Sequence, residues 1–243
     1  MYFILFAIVF SEYVPGFVES KRIIAIGDVH GCSEELHDLL TKLDITEEDQ
    51  LVFLGDLVNR GPDSRGVLDC VHKIRNATFL LGNHELRLLN FHKTGDRSIL
   101  KPYDYRTLAC LKEGDWEFFR RMVPTYYVKE YETVFVHAGF LPGIPWNEQP
   151  LDVILNIQLV TPEGKIKKRS KGLDLPLWSD LWQGPPFVVY GHTPVKNEVE
   201  RGTWSLGIDT ACVDGGSLTA YILPSKEIVS VPAHEAYLKR CLK

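Results

Sequence analysis

The apolar positions of this chain fall into two textures. Short continuous runs, Ile23 to Ile26, Leu51 to Leu54 and Ala77 to Leu81, each lead into a glycine, at Gly27, Gly55 and Gly82. Buried parallel strands entering tight loops read this way. Between them lie stretches with the helical repeat. Ser33 is placed to cap a helix whose first turn holds Glu34 and Glu35 and whose apolar face holds Leu36, Leu39, Leu40 and Leu43. Pro62 suits the first position of a second helix, with Val67, Leu68, Val71 and Ile74 on one face. The chain therefore opens β-α-β-α-β, which predicts a mainly parallel sheet with right-handed crossovers. Glu85 to Met122 is mostly helical in pattern, and Thr133 to Val136 and Phe187 to Tyr190 read as further strands. Ser217 to Leu223 and Ile228 to Val231 read as a closing hairpin around Pro224-Ser225, and Ala233 to Leu242 as a terminal helix. No repeat and no shift in composition marks a second domain, so residues 21–243 are expected to form one.

Residues 1–20 stand apart. Met1 to Phe10 is a ten-residue apolar run, too short for a bilayer-spanning helix of about 20 residues but suited to a signal-peptide core. Val18-Glu19-Ser20 before Lys21 resembles a small-residue cleavage site, although no Lys or Arg precedes the run. The expectation is a signal peptide or membrane anchor, with a secretory or vacuolar location. An apolar first strand, with a cytoplasmic location, is the alternative.

The 243 residues are 45% apolar and 11% aromatic, with 27 Lys+Arg against 32 Asp+Glu. This composition excludes a disordered, collagen-like or multi-span membrane protein. A net charge of -5 argues against a broad basic face and hence against a stable nucleic-acid partner. It leaves a polyanionic substrate open, because charge can be concentrated at one site. Five widely spaced cysteines without a CxxC indicate neither a disulfide framework nor a zinc ribbon, and small buried side chains are the better reading.

Candidate chemistry gathers where the strands end. Five motifs follow apolar runs: Gly27-Asp28-Val29-His30-Gly31, Gly55-Asp56-Leu57-Val58-Asn59-Arg60-Gly61, Gly82-Asn83-His84-Glu85, His137-Ala138-Gly139 and Gly191-His192-Thr193-Pro194. Strand C-termini are where open α/β sheets bind ligands. Asp28 and His30 alternate by two and can point into one site. Asp56, Asn83, His137 and His192 add oxygen and nitrogen donors without a thiolate, a set that suits Mn, Fe, Zn or Mg.

With these motifs in this order, the chain resembles the calcineurin-like metallophosphoesterases, in their phosphoprotein-phosphatase branch, from about Ile23 to Pro232. The resemblance implies a four-layer α/β/β/α sandwich around two divalent metal ions. It implies that Asp28, His30 and Asp56 hold the first metal, and that Asp56 bridges to a second held by Asn83, His137 and His192. Such a pair, about 3.5–4 Å apart, would present a bridging hydroxide to the phosphorus and neutralise phosphoryl oxygens. Arg60 would grip a phosphate oxygen, and His84 would be the general acid at the leaving oxygen.

One departure narrows the substrate. Protein Ser/Thr phosphatases carry Asp where this chain has Asn59. An amide can orient the His84 ring but stabilises imidazolium less than a carboxylate does. A phosphate leaving group protonates near pH ~6, whereas an alkoxide resembles the conjugate base of water, at about 15.7, and needs far more acid assistance. The Leu177-Trp178-Ser179-Asp180 and Gly207-to-Thr219 stretches also resemble the ApaH-like phosphatases and symmetrical diadenosine tetraphosphate hydrolases, with Ala211 where that group usually has Gly. Vacuolar endopolyphosphatases, which share an N-terminal hydrophobic segment, belong to the same group. The expectation is a metal-dependent hydrolase of phosphoanhydride bonds in inorganic polyphosphate or nucleoside polyphosphates. The alternatives are a serine/threonine protein phosphatase acting on phosphoproteins and, since some such folds are non-catalytic, a scaffold. Lys165, Lys167, Lys168, Arg169 and Lys171 form the one basic run. It reads first as a solvated loop, and as a lure for polyanions if it borders the cleft.

Overall fold

The computed structural model describes residues 21–169 and 173–238. The opening repeat forms as patterned, with β1 (Ile23–Ile26), α1 (Ser33–Lys42), β2 (Gln50–Phe53), α2 (Ser64–Val71) and β3 (Ala77–Phe79). The helical stretch holds α3 (Asn83–Thr94), α4 (Pro102–Cys110) and α5 (Glu113–Arg121). Next come β4 (Thr125–Val128), β5 (Thr133–Val136), α6 (Leu151–Asn156), the short strands β6 (Leu159–Val160) and β7 (Ile166–Lys167), and α7 (Trp178–Leu181). β8 (Phe187–Tyr190), β9 (Glu200–Arg201), β10 (Ser205–Gly207) and the hairpin β11 (Ser217–Leu223) and β12 (Glu227–Pro232) follow.

Hydrogen bonding orders one sheet β12-β11-β1-β2-β3 and a second β4-β5-β8-β10-β9. In the first, β1, β2 and β3 are parallel, with Ile23 opposite Gln50 and Leu51 opposite Ala77, and β11 joins β1 antiparallel. In the second, β5, β8 and β10 are parallel and β4 and β9 close the edges antiparallel. Strand alternation then sorts the side chains. Ile23, Ala25, Val52, Phe135, Val189 and Leu206 form a buried cluster drawn from both sheets. Their neighbours Ile24, Ile26, Phe53, Val134 and Val188 share the other cluster with Leu36, Leu39, Val67, Leu68 and Leu88 of the helices. The sheets thus face one another with helices outside, which is the α/β/β/α sandwich. Burying both faces explains why these strands read as continuous apolar runs.

Three boundaries differ from the sequence pattern. Ser33 is the first residue of α1, not its cap; its Oγ donates to Asp63 Oδ2 at 3.1 Å. Asp63 caps α2, its carboxylate accepting from the Gly66 N–H at 2.8 Å, so the helix begins beyond Pro62. A side chain that satisfies an orphan N–H here outweighs proline's fixed φ. Residues 233–237 are turns and bends, not helix: the Ala233 N–H bonds Gly216 O and the Tyr237 hydroxyl donates to Glu35 Oε1, both at 2.8 Å. Helix begins at Leu238; residues 239–242 of the expected terminal helix, and the whole of the expected signal or anchor at 1–20, lie outside the described residues. Among the described residues no helix is long and apolar enough to cross a membrane.

Candidate metal centre and active site

Residues following β1, β2 and β3 meet residues following β5 and β8 along one rim. The His192 N–H donates to Asp28 Oδ1 at 3.0 Å, and His137 Nδ1 lies 2.8 Å from Leu54 O. All nine residues singled out from the sequence come together here, and every ligand candidate is buried except the half-buried Asn83 and His192. Asp56 is central: its Oδ2 lies 3.5 Å from His30 Nε2 and 3.8 Å from His84 Nε2, while its Oδ1 lies 3.6 Å from His137 Nε2. Asp28 Oδ2 lies 3.9 Å from His30 Nε2. Of the three groups with ligand spacing among the described residues, two lie at this rim, His30 with Asp56 and His84, and Asp56 with His137 and His192, and they share Asp56.

The hydrogen bonds behind the rings fix their tautomers. His30 Nδ1 donates to Val58 O at 3.1 Å, and His137 Nδ1 donates to Leu54 O, so both Nε2 lone pairs face the centre. His137 Nε2 then lies 3.1 Å from Asn83 Oδ1, two acceptors facing each other, which a cation satisfies. His192 Nε2 is buried without a protein partner. Burial pulls His30 down to about 3, with Arg60 adding to the effect, and pulls His192 to about 3 as well. Neutral imidazoles with free lone pairs result at neutral pH. Burial pushes the Asp28 carboxyl well above the ordinary carboxylate range, and repulsion from Asp209 and Asp56 pushes it further. Crowded carboxyls beside neutral histidines fit divalent cations, whose charge relieves the repulsion.

Local backbone accounts for the convergence. His30, Asp56, Asn59, Arg60 and His192 all have positive φ, between 48° and 74°, strained positions that the surrounding structure must hold in place. Gly82 and Gly191 have a different reason: a Cβ on Gly82 would strike Asp56 Oδ1, and one on Gly191 would strike Asp28 Oδ1. The Asp56 loop is pinned from behind by Glu85, which accepts the N–H groups of Asp56 at 3.0 Å, Leu57 at 2.9 Å and Val58 at 3.3 Å. Arg60 Nη1 lies 3.0 Å from His30 Nε2. The ring of Tyr103 stacks on His84 at 5.2 Å between centroids.

The structure adds residues that the sequence reading left out. Asp209 follows β10, buried and acting electrostatically on Asp28; the strand-then-acid texture marks it, but Ser205–Gly207 is too short to stand out. Glu85 closes a quoted motif without having been given a task. Arg87, Tyr103 and Asp104 lie on α3 and α4 with no local signature, and only the packing of those helices brings them to His84.

The calcineurin-like phosphoesterase family profile matches residues 21–222. The chain belongs to that family. Among curated proteins it is similar to the asymmetrical bis(5'-nucleosyl)-tetraphosphatase PrpE of Oceanobacillus iheyensis, at 31% identity over 89% of this chain and 94% of that protein. PrpE of Bacillus subtilis is 30% identical over 87% of this chain and 95% of its own. A solved structure assigned as a diadenosine tetraphosphatase superposes with a TM-score of 0.77 at 28% identity, covering 89% of this chain and 95% of that one. A serine/threonine phosphatase of Saccharomyces cerevisiae shares the fold, with a TM-score of 0.55 at 14% identity.

Proposed function

We propose that the chain is a divalent-metal-dependent hydrolase of phosphoanhydride bonds in nucleoside polyphosphates, with dinucleoside tetraphosphates as its main substrates. The observation that carries this over a phosphomonoesterase is the amide at residue 59: Asn59 Nδ2 lies 3.0 Å from His84 Nδ1, where a carboxylate would charge the ring. The names of the curated relatives point the same way, and their asymmetrical designation favours release of a nucleoside monophosphate and a nucleoside triphosphate over two nucleoside diphosphates. When bound, two cations would neutralise phosphoryl oxygens and lower the pKa of an attacking water.

This chain's own residues do the rest. Asp28, His30 and Asp56 would hold one cation, and Asp56, Asn83, His137 and His192 the other. Arg60, on the strained loop after β2, grips a non-bridging oxygen with its planar fork. His84 stands beside the leaving oxygen. Inorganic polyphosphate is a second reading, supported by Lys168, whose charge acts on His192. Targeting through residues 1–20 is part of the proposal, to be checked by N-terminal sequencing of protein recovered from its native host.

The test is a substrate panel. Purified protein loaded in turn with Mn, Zn, Fe and Mg is given diadenosine tetraphosphate, inorganic polyphosphate and a phosphoserine peptide. The expected result is preferred turnover of the anhydrides, with ATP and AMP as products from diadenosine tetraphosphate. Dominant phosphopeptide turnover establishes the protein-phosphatase alternative instead. Absence of metal-dependent turnover, unchanged by Asp56→Asn, establishes the scaffold.

A further inference from the structure

The groups behind His84 impose one arrangement of protons on its ring. Asp104 is fully buried at the start of α4, its Oδ2 accepting the Lys101 N–H at 2.6 Å. Arg87, one turn along α3 from His84, grips Asp104 with Nε to Oδ2 at 2.8 Å and Nη2 to Oδ1 at 2.9 Å. A carboxylate held by a guanidinium in this way offers only acceptors. Asn59 Nδ2 donates to Asp104 Oδ1 at 2.8 Å. Turning the amide over would set its oxygen against that carboxylate oxygen, so Asp104 decides which end of Asn59 faces the ring.

The end that faces His84 is the amide nitrogen, 3.0 Å from Nδ1, and Arg87 Nη2 is a second donor 3.1 Å from the same atom. A ring nitrogen met by two N–H donors can only accept. The ring proton therefore resides on Nε2, which is buried without a protein partner and faces the centre, 3.8 Å from Asp56 Oδ2. Tyr103 covers the ring face, with the Arg87 guanidinium 5.4 Å from its centroid on the Tyr103 ring.

We propose that Arg87 and Asp104 are positioning residues that lock His84 as its Nε2–H tautomer, so that the ring presents a hydrogen-bond donor to the leaving oxygen. The proposal rests on the anhydride reading of the site and narrows it to leaving groups that depart as stable anions. In the step, the oxygen of water forms the new P–O bond and the bridging P–O bond breaks. Its electron pair leaves on the departing phosphate, which the His84 Nε2–H bond stabilises, and the water's proton passes to solvent. A hydrogen bond from Nε2–H suffices for a departing phosphate and falls short of what an alkoxide needs, so the Arg87–Asp104–Asn59 network favours the anhydride class.

Two measurements test it. In 15N-histidine-labelled, metal-loaded protein at neutral pH, with the His84 signals identified by their loss in His84→Gln, the expected spectrum shows Nε2 protonated and Nδ1 bare. A protonated Nδ1 overturns the proposal even if the substrate panel favours anhydrides, whereas phosphopeptide preference overturns the anhydride reading while leaving the tautomer intact. Second, kcat for diadenosine tetraphosphate and for an alkyl phosphate is compared in native protein and Arg87→Met. Freeing Nδ1 of its cationic neighbour is expected to raise the alkyl-to-anhydride kcat ratio about tenfold, within the range of a general-acid contribution. Equal loss on both substrates would show a merely structural role for Arg87.

Discussion

Ala211 has φ 60° and ψ 46°, and this explains the glycine usual at that place in the resembling sequences. A left-handed alanine costs roughly 1–2 kcal/mol against the right-handed region, part of which glycine gives back in the unfolded chain. Ala211→Gly is therefore expected to stabilise the protein by about 0.5–1 kcal/mol, read as a raised urea midpoint at unchanged m-value; a lowered midpoint would refute the strain. Glu85 gives the opposite case. Burial, with repulsion from Asp56, pushes its carboxyl up to about 8, yet it accepts three backbone N–H groups of the Asp56 loop. Glu85→Gln replaces one acceptor oxygen by a donor, so at least one buried N–H is orphaned at a cost of about 1–3 kcal/mol. Because that N–H belongs to the loop carrying Asp56, Asn59 and Arg60, kcat should fall as well. Unchanged kcat with lowered stability would mean that the loop holds its shape without Glu85. At this scale the sequence was most legible where one residue type has one use. Asp, Asn and His after apolar runs announced themselves. Arg87 and Asp104 did not, since a helical Arg and Asp read as surface charges until tertiary packing buries them.

At the scale of elements, the basic run after β6 is the informative case. The β6–β7 hairpin is tied to the centre through Gln158, whose Oε1 accepts the Arg169 N–H at 2.7 Å and whose Nε2 donates to His192 O at 3.1 Å. Arg169 also pairs with Glu200 at 3.2 Å. Lys168 thus sits within electrostatic reach of His192. Lys168→Ala is expected to raise KM for polyphosphate about two- to fivefold at low ionic strength with kcat unchanged, and the difference should vanish near ~0.5 M salt, where screening is short-ranged. A salt-independent change would assign Lys168 a direct contact instead. The segment after β12 is held to α1 by another charged contact. His234 Nε2 lies 2.8 Å from Asp38 Oδ2, its Nδ1 3.1 Å from Glu34 Oε2, and its N–H donates to Glu35 Oε1 at 2.8 Å. Asp38 chiefly, then Glu35, raises the His234 pKa above the ordinary value. The sign follows: the contact contributes below the unfolded value of about 6.5 and is lost as pH rises through the folded value. Amide protection around 233–237 should therefore weaken as pH rises beyond the ordinary histidine range in native protein, and not in His234→Gln. pH-independent protection would show that the backbone bonds alone hold this segment. None of these contacts showed in the sequence, which placed a helix from Ala233; the bonds to Gly216 and to α1 hold 233–237 in turns and bends, and helix begins only at Leu238.

For the whole molecule, the central strands were legible because both sheets are buried on both faces, which leaves those strands as unbroken apolar runs, whereas their pairing into a two-sheet sandwich was implied only by the family resemblance. The half-exposed edge strand β4 and the two-residue β9 were not, because their residues alternate with water or are too few to carry a period. The topology has an electrostatic consequence. It brings Asp28, Asp56 and Asp209, from three strands of two sheets, into one buried place, and burial with mutual repulsion raises Asp28 and carries Asp209 up to about 7. A carboxyl raised in the folded state keeps a proton there that the unfolded chain has already released, so it opposes folding as pH rises through its folded value. A divalent cation reverses the balance, since it displaces that proton and supplies the missing charge. His30 and His192, pulled to about 3 by burial, are already deprotonated at neutral pH and do not limit binding. Metal binding should therefore release protons, and the stabilisation it gives should grow between pH ~4 and ~7, the window between the ordinary and raised carboxyl values. At a hundredfold excess over Kd one site yields about 2.7 kcal/mol, roughly 5–10 °C in Tm for a chain of this size. Melting curves with and without Mn across that window, with proton release followed by calorimetry in two buffers, measure both quantities. Asp56→Asn, which removes the shared ligand, should abolish most of the shift. A shift of equal size at every pH would show that the ions bind somewhere other than this crowded set of carboxyls.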